Sequence, residues 1–143
     1  LQARSKLADT EKVLSGVLYE RGVDNKGFAI IRSKGDKALF RLDTALLKRK
    51  IGAPSNRPLA DFLPTIAIKA KDFAAEMTSV NVQQKDLRGQ TAIEREHIDN
   101  NLAVRQMMLN RGIVPENLTA GEDIKKVERR LKSEEKRISK GKN

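Results

Sequence analysis

GFAIIRSKGDKALFRLDTALLKRKIGAPSNRPLADFLPTIAIKAKDFAAEM, residues Gly27 to Met77, is the stretch on which the fold turns. It holds four of the five aromatic residues and three of the four prolines. Phe28 to Ile31 and Lys37 to Phe40 are rich in strand formers and flank Ser33-Lys34-Gly35-Asp36, so the pattern predicts a short β-hairpin. Thr44 to Ile51 predicts a basic helix, with Thr44 as its N-cap and Gly52 as its stop. Pro58 to Leu63 predicts one proline-bounded turn of helix. Beyond Pro64, the residues Ile66, Ala70, Phe73, Ala74, Met77 and Val80 recur at helical spacing and mark a central core helix.

Working outward toward the start, Ala3, Leu7, Thr10, Leu14 and Val17 recur at steps of four, three, four and three, which predicts a helix ending near Gly22. Such a stripe packs on a core or on another chain. Toward the end, Val82 to Gln90 reads as a loop and Ile93 to Arg111 as a helix closed by Gly112, with His97 at the edge of its apolar stripe. Thr119 and Glu122 form a capping-box pattern for a last helix, whose Ile124, Val127, Leu131 and Ile138 share one face. Nine basic residues in this tail, Lys142 among them, oppose five acidic ones, the composition of a solvated helix. The expected fold is mainly α: a small helical domain over residues 1–118 with one short β-hairpin, long helices at both ends, and a basic amphipathic C-terminal helix over 119–143.

The charge is distinctive, with 29 Lys and Arg against 19 Asp and Glu for a net +10. Such an excess favours polyanions by long-range attraction and counterion release. Nine basic and three acidic residues fall between Arg21 and Lys50, a local +6. Arg32, Lys34, Lys37, Arg41, Lys48, Arg49 and Lys50 are therefore the candidate contacts to nucleic acid, although cations ending a helix also answer its dipole. The aromatic residues are expected in the core, leaving no platform for base stacking, so contact should be to phosphate, salt-dependent and non-specific in sequence. Leu7, Leu14, Ile124, Val127 and Leu131 are the candidate partner-facing residues, through which the terminal helices could join subunits.

Chemistry is sparse. The absence of cysteine excludes disulfides, thiolate metal sites and Cys nucleophiles. Ser33 to Lys37 lacks the spacing of a phosphate-binding loop, and His97 is the only histidine. Asp123-Ile124-Lys125 has the Asp-x-Lys spacing of metal-dependent nucleases, but Asp at a helix start is favoured by the dipole anyway. The expectation is a non-enzymatic protein with no cofactor and no metal. No apolar run is long enough to span a membrane, and the expected location is the cytoplasm. The opening Leu-Gln-Ala-Arg, without Met, suggests a fragment of a longer protein.

Four strings carry a family likeness: GFAIIRSKGDKALF from Gly27, RPLADFLPTIAIKAKDFAAEMT from Arg57, NNLAVRQMMLNRGIVPENL from Asn100 and EDIKKVERRLKSEEK from Glu122. They resemble the C-terminal part of the bacterial DNA-damage-inducible protein D (DinD) family. The resemblance implies a role in the SOS response, an N-terminal domain similar to phage antirepressor (BRO-type) domains in the whole protein, and action on DNA or on a DNA-repair protein such as a RecA-type recombinase filament. The resemblance implies a Tyr-Gly-Gly after the hairpin, as in many members of the family, where this chain departs with Phe40-Arg41-Leu42. The family supplies no catalytic residues. The other reading of the residues is an interaction or oligomerisation domain that touches no nucleic acid.

Overall fold

The computed structural model describes residues 1–141, and Lys142 of the basic tail lies outside them. The chain forms six helices: α1 (Gln2–Glu20), α2 (Asn25–Phe40), α3 (Thr44–Ile51), α4 (Thr65–Gln84), α5 (Gln90–Asn110) and α6 (Ile124–Gly141), with 3₁₀ turns at Leu59–Phe62 and Pro115–Asn117. The four longer helices of the body pack in the order α1, α4, α5, α2, each mainly against the next, while α1 and α2 touch only lightly. Among the described residues none of the helices is long and apolar enough to cross a membrane.

The expected hairpin does not exist, and no strand is present among the described residues. Residues 28–40 lie instead within α2. Asp24 caps it, its carboxylate accepting from the Gly27 amide at 2.9 Å. Gly27, Phe28, Ile31, Gly35 and Leu39 then recur at steps of one, three, four and four on the buried face. Gly35 is a contact point between helices and not a turn. A methyl group there would lie 2.5 Å from His97 Nε2 and 3.0 Å from Asn101 Nδ2, so only glycine lets α2 lie this close to α5. The helix ends at Arg41, in the left-handed region at φ 63°, the conformation glycine supplies without cost.

α3 spans the expected residues, but Asp43 and not Thr44 is its N-cap, accepting from the Leu46 amide at 2.9 Å. This frees the Thr44 hydroxyl to donate to Asp36 at 2.5 Å. Gly52 closes the helix at φ 76°. In α4 the buried face is turned from the expected one: Ala70 and Ala74 of the expected stripe are inside and Met77 is half-buried, but Ala67, Thr78 and Val82 complete the face, whereas Ile66, Phe73 and Val80 are exposed.

Two apolar clusters form the core. One gathers Leu7, Leu39, Phe40, Leu47, Leu63, Val104 and Met108, among others, and the second Leu14, Leu18, Val23, Phe28, Ile31, Val82 and Ile93. Between them lies a polar layer with a contribution from every packed helix. Thr10 of α1 donates to Asp72 at 2.6 Å, and Lys71 of α4 pairs with Asp36 of α2. His97 Nδ1 of α5 meets the Thr78 hydroxyl at 2.7 Å, and Asn100 donates to the same hydroxyl at 3.0 Å. His97 is thus an interior residue, and burial pushes its pKa down to about 4, the nearby Lys71 adding to the effect. Asp36 and Lys71 are only 2% and 8% exposed. A charged pair so deep fixes the register of α2 against α4, because neither partner can be buried without the other.

Candidate nucleic-acid interface

α6 begins later than the capping box suggests. Thr119 and Glu122 precede it, and the Asp123 side chain does the capping, accepting from the Lys125 amide at 3.0 Å. The same carboxylate takes two hydrogen bonds from Arg57, at 2.8 and 3.3 Å, which hold its pKa down to about 2. Arg57 also donates to Asp61 at 2.9 Å and lies 4.9 Å from the centre of the Phe62 ring. Its own pKa is raised, chiefly by the hydrogen bonds it donates to Asp123. Nearby, the Gly121 amide donates to the Phe62 carbonyl at 2.8 Å, and any side chain at 121 would strike the Leu63 carbonyl. The start of α6 is in this way tied to the Leu59–Phe62 turn. Asp123 is engaged as a cap and an ion-pair partner, and Lys125 makes no side-chain pair with it.

Past this anchor α6 leaves the body. Ile124 and Val127 are half-buried, near Leu63 and Ile68, but every described residue from Glu128 onward is exposed, Leu131 and Ile138 included. The helix carries eight cations, Lys125, Lys126, Arg129, Arg130, Lys132, Lys136, Arg137 and Lys140, against Glu128, Glu134 and Glu135. They are not evenly spread. Lys125, Arg129, Lys132, Lys136 and Lys140 recur at steps of four, three, four and four, a single stripe, with the three glutamates toward the apolar side. None of the five makes a side-chain hydrogen bond or ion pair among the described residues, and Arg130 alone of the eight is paired, with Glu122 at 2.9 Å. At 1.5 Å per residue the stripe runs for about 22 Å.

The seven cations singled out between Arg32 and Lys50 divide among different faces. Arg32 turns toward α1, pairing with Glu11 at 2.8 Å and lying 4.7 Å above the Phe28 ring, while Lys34 turns the other way to Glu94 of α5 at 2.5 Å. Lys48 donates to the Ser55 carbonyl at 3.2 Å and Lys50 to the Glu116 carbonyl at 2.7 Å. Lys37, Arg41 and Arg49 are exposed and make no side-chain pair among the described residues. No single surface gathers all seven.

The candidate partner-facing residues also separate. Leu7 and Leu14 are 0% and 2% exposed and belong to the two core clusters, so they are not available to a second chain. A stripe read along one helix looks the same whether its cover is this chain or another, and here α4 supplies the cover. Ile124 and Val127 are partly covered, leaving Leu131 as the open member of the set. Of the aromatic residues expected in the core, Phe28 and Phe40 are buried, whereas Tyr19 and Phe73 are exposed.

Residues 1–127 match the family described as the DinD C-terminal domain, and the chain belongs to that family. The match includes the helical body and the anchored start of α6 and stops short of most of the basic stripe. No curated protein matches the chain.

Proposed function

We propose that this domain is a non-enzymatic, DNA-associated module of the DNA-damage response, in which α6 lies along a nucleic-acid phosphate backbone. The observation that carries the reading is the stripe of five unpaired cations on a helix that stands clear of the body. Cations already bonded to carboxylates gain little by exchanging them for phosphates, whereas free ones release condensed counterions and add affinity. The docked start of α6 gives the stripe a fixed direction, through Arg57 and Asp123. Contacts of this kind position a protein on a duplex and carry no sequence information of their own. Family membership supplies the DNA-damage setting.

Fluorescence polarisation with single- and double-stranded oligonucleotides across a salt series tests this. Lys132→Glu with Lys136→Glu should weaken binding and lower the slope of log K against log salt by about two, since each lost phosphate contact accounts for roughly 0.9. Lys48→Glu, Arg49→Glu and Lys50→Glu together should have the smaller effect. An α6 variant that binds like the parent protein would overturn the assignment.

A further inference from the structure

The ring of four packed helices is open on one side. α1 packs on α4 and α2 on α5, but α1 and α2 diverge from the loop that joins them, and small residues, Ala8 and Ser15 on α1 and Ala29 on α2, face the gap. The result is a groove of about 560 Å³, walled at one end by α3 and the Pro58–Ala60 segment. This is the size range of ligand-binding clefts.

Its chemistry is mixed in an ordered way. Ala8 and Ala29 give it exposed apolar surface with Phe28 and Leu59 buried behind them, and the buried Lys71–Asp36 pair lies at its floor. Besides Arg4, which is held by Asp61 at 2.8 Å, three cations reach it from three separate helices: Lys12 from α1, Arg32 from α2 and Lys48 from α3. Lys12 is exposed and unpaired among the described residues, Lys48 holds only a carbonyl, and the pair of Arg32 with Glu11 is solvent-accessible and exchangeable. All of these residues lie within the part of the chain that matches the family.

We propose that this groove docks an acidic, partly apolar peptide segment of a protein partner, its carboxylates meeting Lys12, Arg32 and Lys48 and an apolar side chain resting against Ala8 and Ala29. Charge complementarity selects the occupant. A nucleic-acid strand would carry a phosphate past Glu11, which also lines the groove, and would leave the apolar stretch at Ala8 and Ala29 unused. A peptide can place a neutral or apolar residue at those points and an acidic one at the cations. No residue of the α6 stripe lines the groove, and only Lys125 at its start borders the adjoining cleft at Arg4 and Ala8, so the domain has one surface for phosphates and another for a protein.

The test is fluorescence polarisation of the full chain with a fluorescein-labelled ten-residue peptide carrying four aspartates and two phenylalanines, beside the same peptide with asparagine for every aspartate. Expected are saturable binding, about tenfold weaker binding of the asparagine peptide, and about tenfold loss for Lys12→Glu combined with Lys48→Glu. Lys12 is exposed and Lys48 half-exposed, and circular dichroism of the variant checks that it folds. The Lys132→Glu, Lys136→Glu protein should bind the peptide within about twofold of the parent and so separates this site from the α6 reading. Amide shifts in heteronuclear NMR should cluster at Ala8, Lys12, Ala29 and Lys48. Lack of saturation by about 1 mM peptide overturns the proposal. So does equal loss in the α6 variant, which would indicate charge attraction alone, or oligonucleotide binding abolished by the groove variant and not by the α6 variant, which would make the occupant a nucleic acid.

Discussion

Gly35→Ala and Gly16→Ala add the same methyl group to two helices and should change stability in opposite directions. At Gly16 nothing lies within 4 Å of the added Cβ, so the change removes a flexible residue from the exposed side of α1 and should stabilise the fold by about 0.5–1 kcal/mol. At Gly35 the same gain in helix propensity meets a steric obstacle. The Cβ would stand 2.5 Å from His97 Nε2 and 2.6 Å from Cδ2, and the ring cannot simply swing aside, because Thr78 holds its Nδ1 at 2.7 Å and Asn101 lies against its other edge. Either α2 lifts off α5 or the polar layer rearranges, and overpacking of this kind costs about 1–3 kcal/mol. After the propensity gain, a net loss of about 1–2 kcal/mol is expected, or roughly 3 °C in Tm per kcal/mol for a chain of this size. Urea titration followed by far-ultraviolet circular dichroism measures both variants. The double variant Gly35→Ala, His97→Ala completes a cycle in which the alanine should cost markedly less once the ring is gone, a coupling of about 1 kcal/mol or more. Stabilisation by Gly35→Ala equal to that by Gly16→Ala would show that α2 and α5 do not meet at this glycine, and the account of the polar layer would fail with it.

Two more predictions concern the same layer. Lys71→Met leaves the Asp36 carboxylate buried with Thr44 as its remaining partner and should cost about 3–5 kcal/mol, whereas adding Asp36→Leu should recover part of that loss; a double variant less stable than Lys71→Met would argue against a buried ion pair. His97, with its pKa lowered to about 4 from an ordinary 6.5, stays neutral in the folded protein while the unfolded chain takes up a proton, so stability should be level above about pH 7 and fall between pH 6.5 and 4 by about 3 kcal/mol from this group. Proton NMR of the single histidine checks this directly, and a ring titrating near 6.5 in the folded protein would contradict its burial.

The limits of what was legible in the sequence have a common physical cause. α1, α3 and α5 show in the sequence because their apolar spacing and closing glycines are local, and Gly22, Gly52 and Gly112 follow helix ends by the rule that glycine takes positive φ. α2 was hidden by a correct rule applied to the wrong case. Phe-Ala-Ile-Ile favours a strand and Ser-Lys-Gly-Asp a turn, yet the glycine is there because a histidine sixty-two residues later occupies the space its side chain would need. The signal available was the Asp24 cap, with Phe28, Ile31, Gly35 and Leu39 at helical steps behind it. The phase of α4 failed for a related reason. Lys71 and Thr78 face inward only because Asp36 and His97 meet them, and without those partners in view Phe73 is the better core residue.

Charge behaves in the same way. The density between Arg21 and Lys50 is the highest in the body, but density counts residues along the chain, whereas a polyanion meets them in space after neighbouring helices have supplied Glu11 and Glu94 to Arg32 and Lys34. The tail has the reverse history: its mixed composition suggests self-neutralisation, yet helical geometry moves Glu128, Glu134 and Glu135 to one side and leaves five cations in line on the other. For a small helical domain with a strong net charge, the residues free to bind are those whose opposite charges point elsewhere. That condition favours α6 for phosphates, and for the groove it favours Lys12, a residue in no basic cluster of the sequence that gains its interest from what α2 and α3 place opposite it.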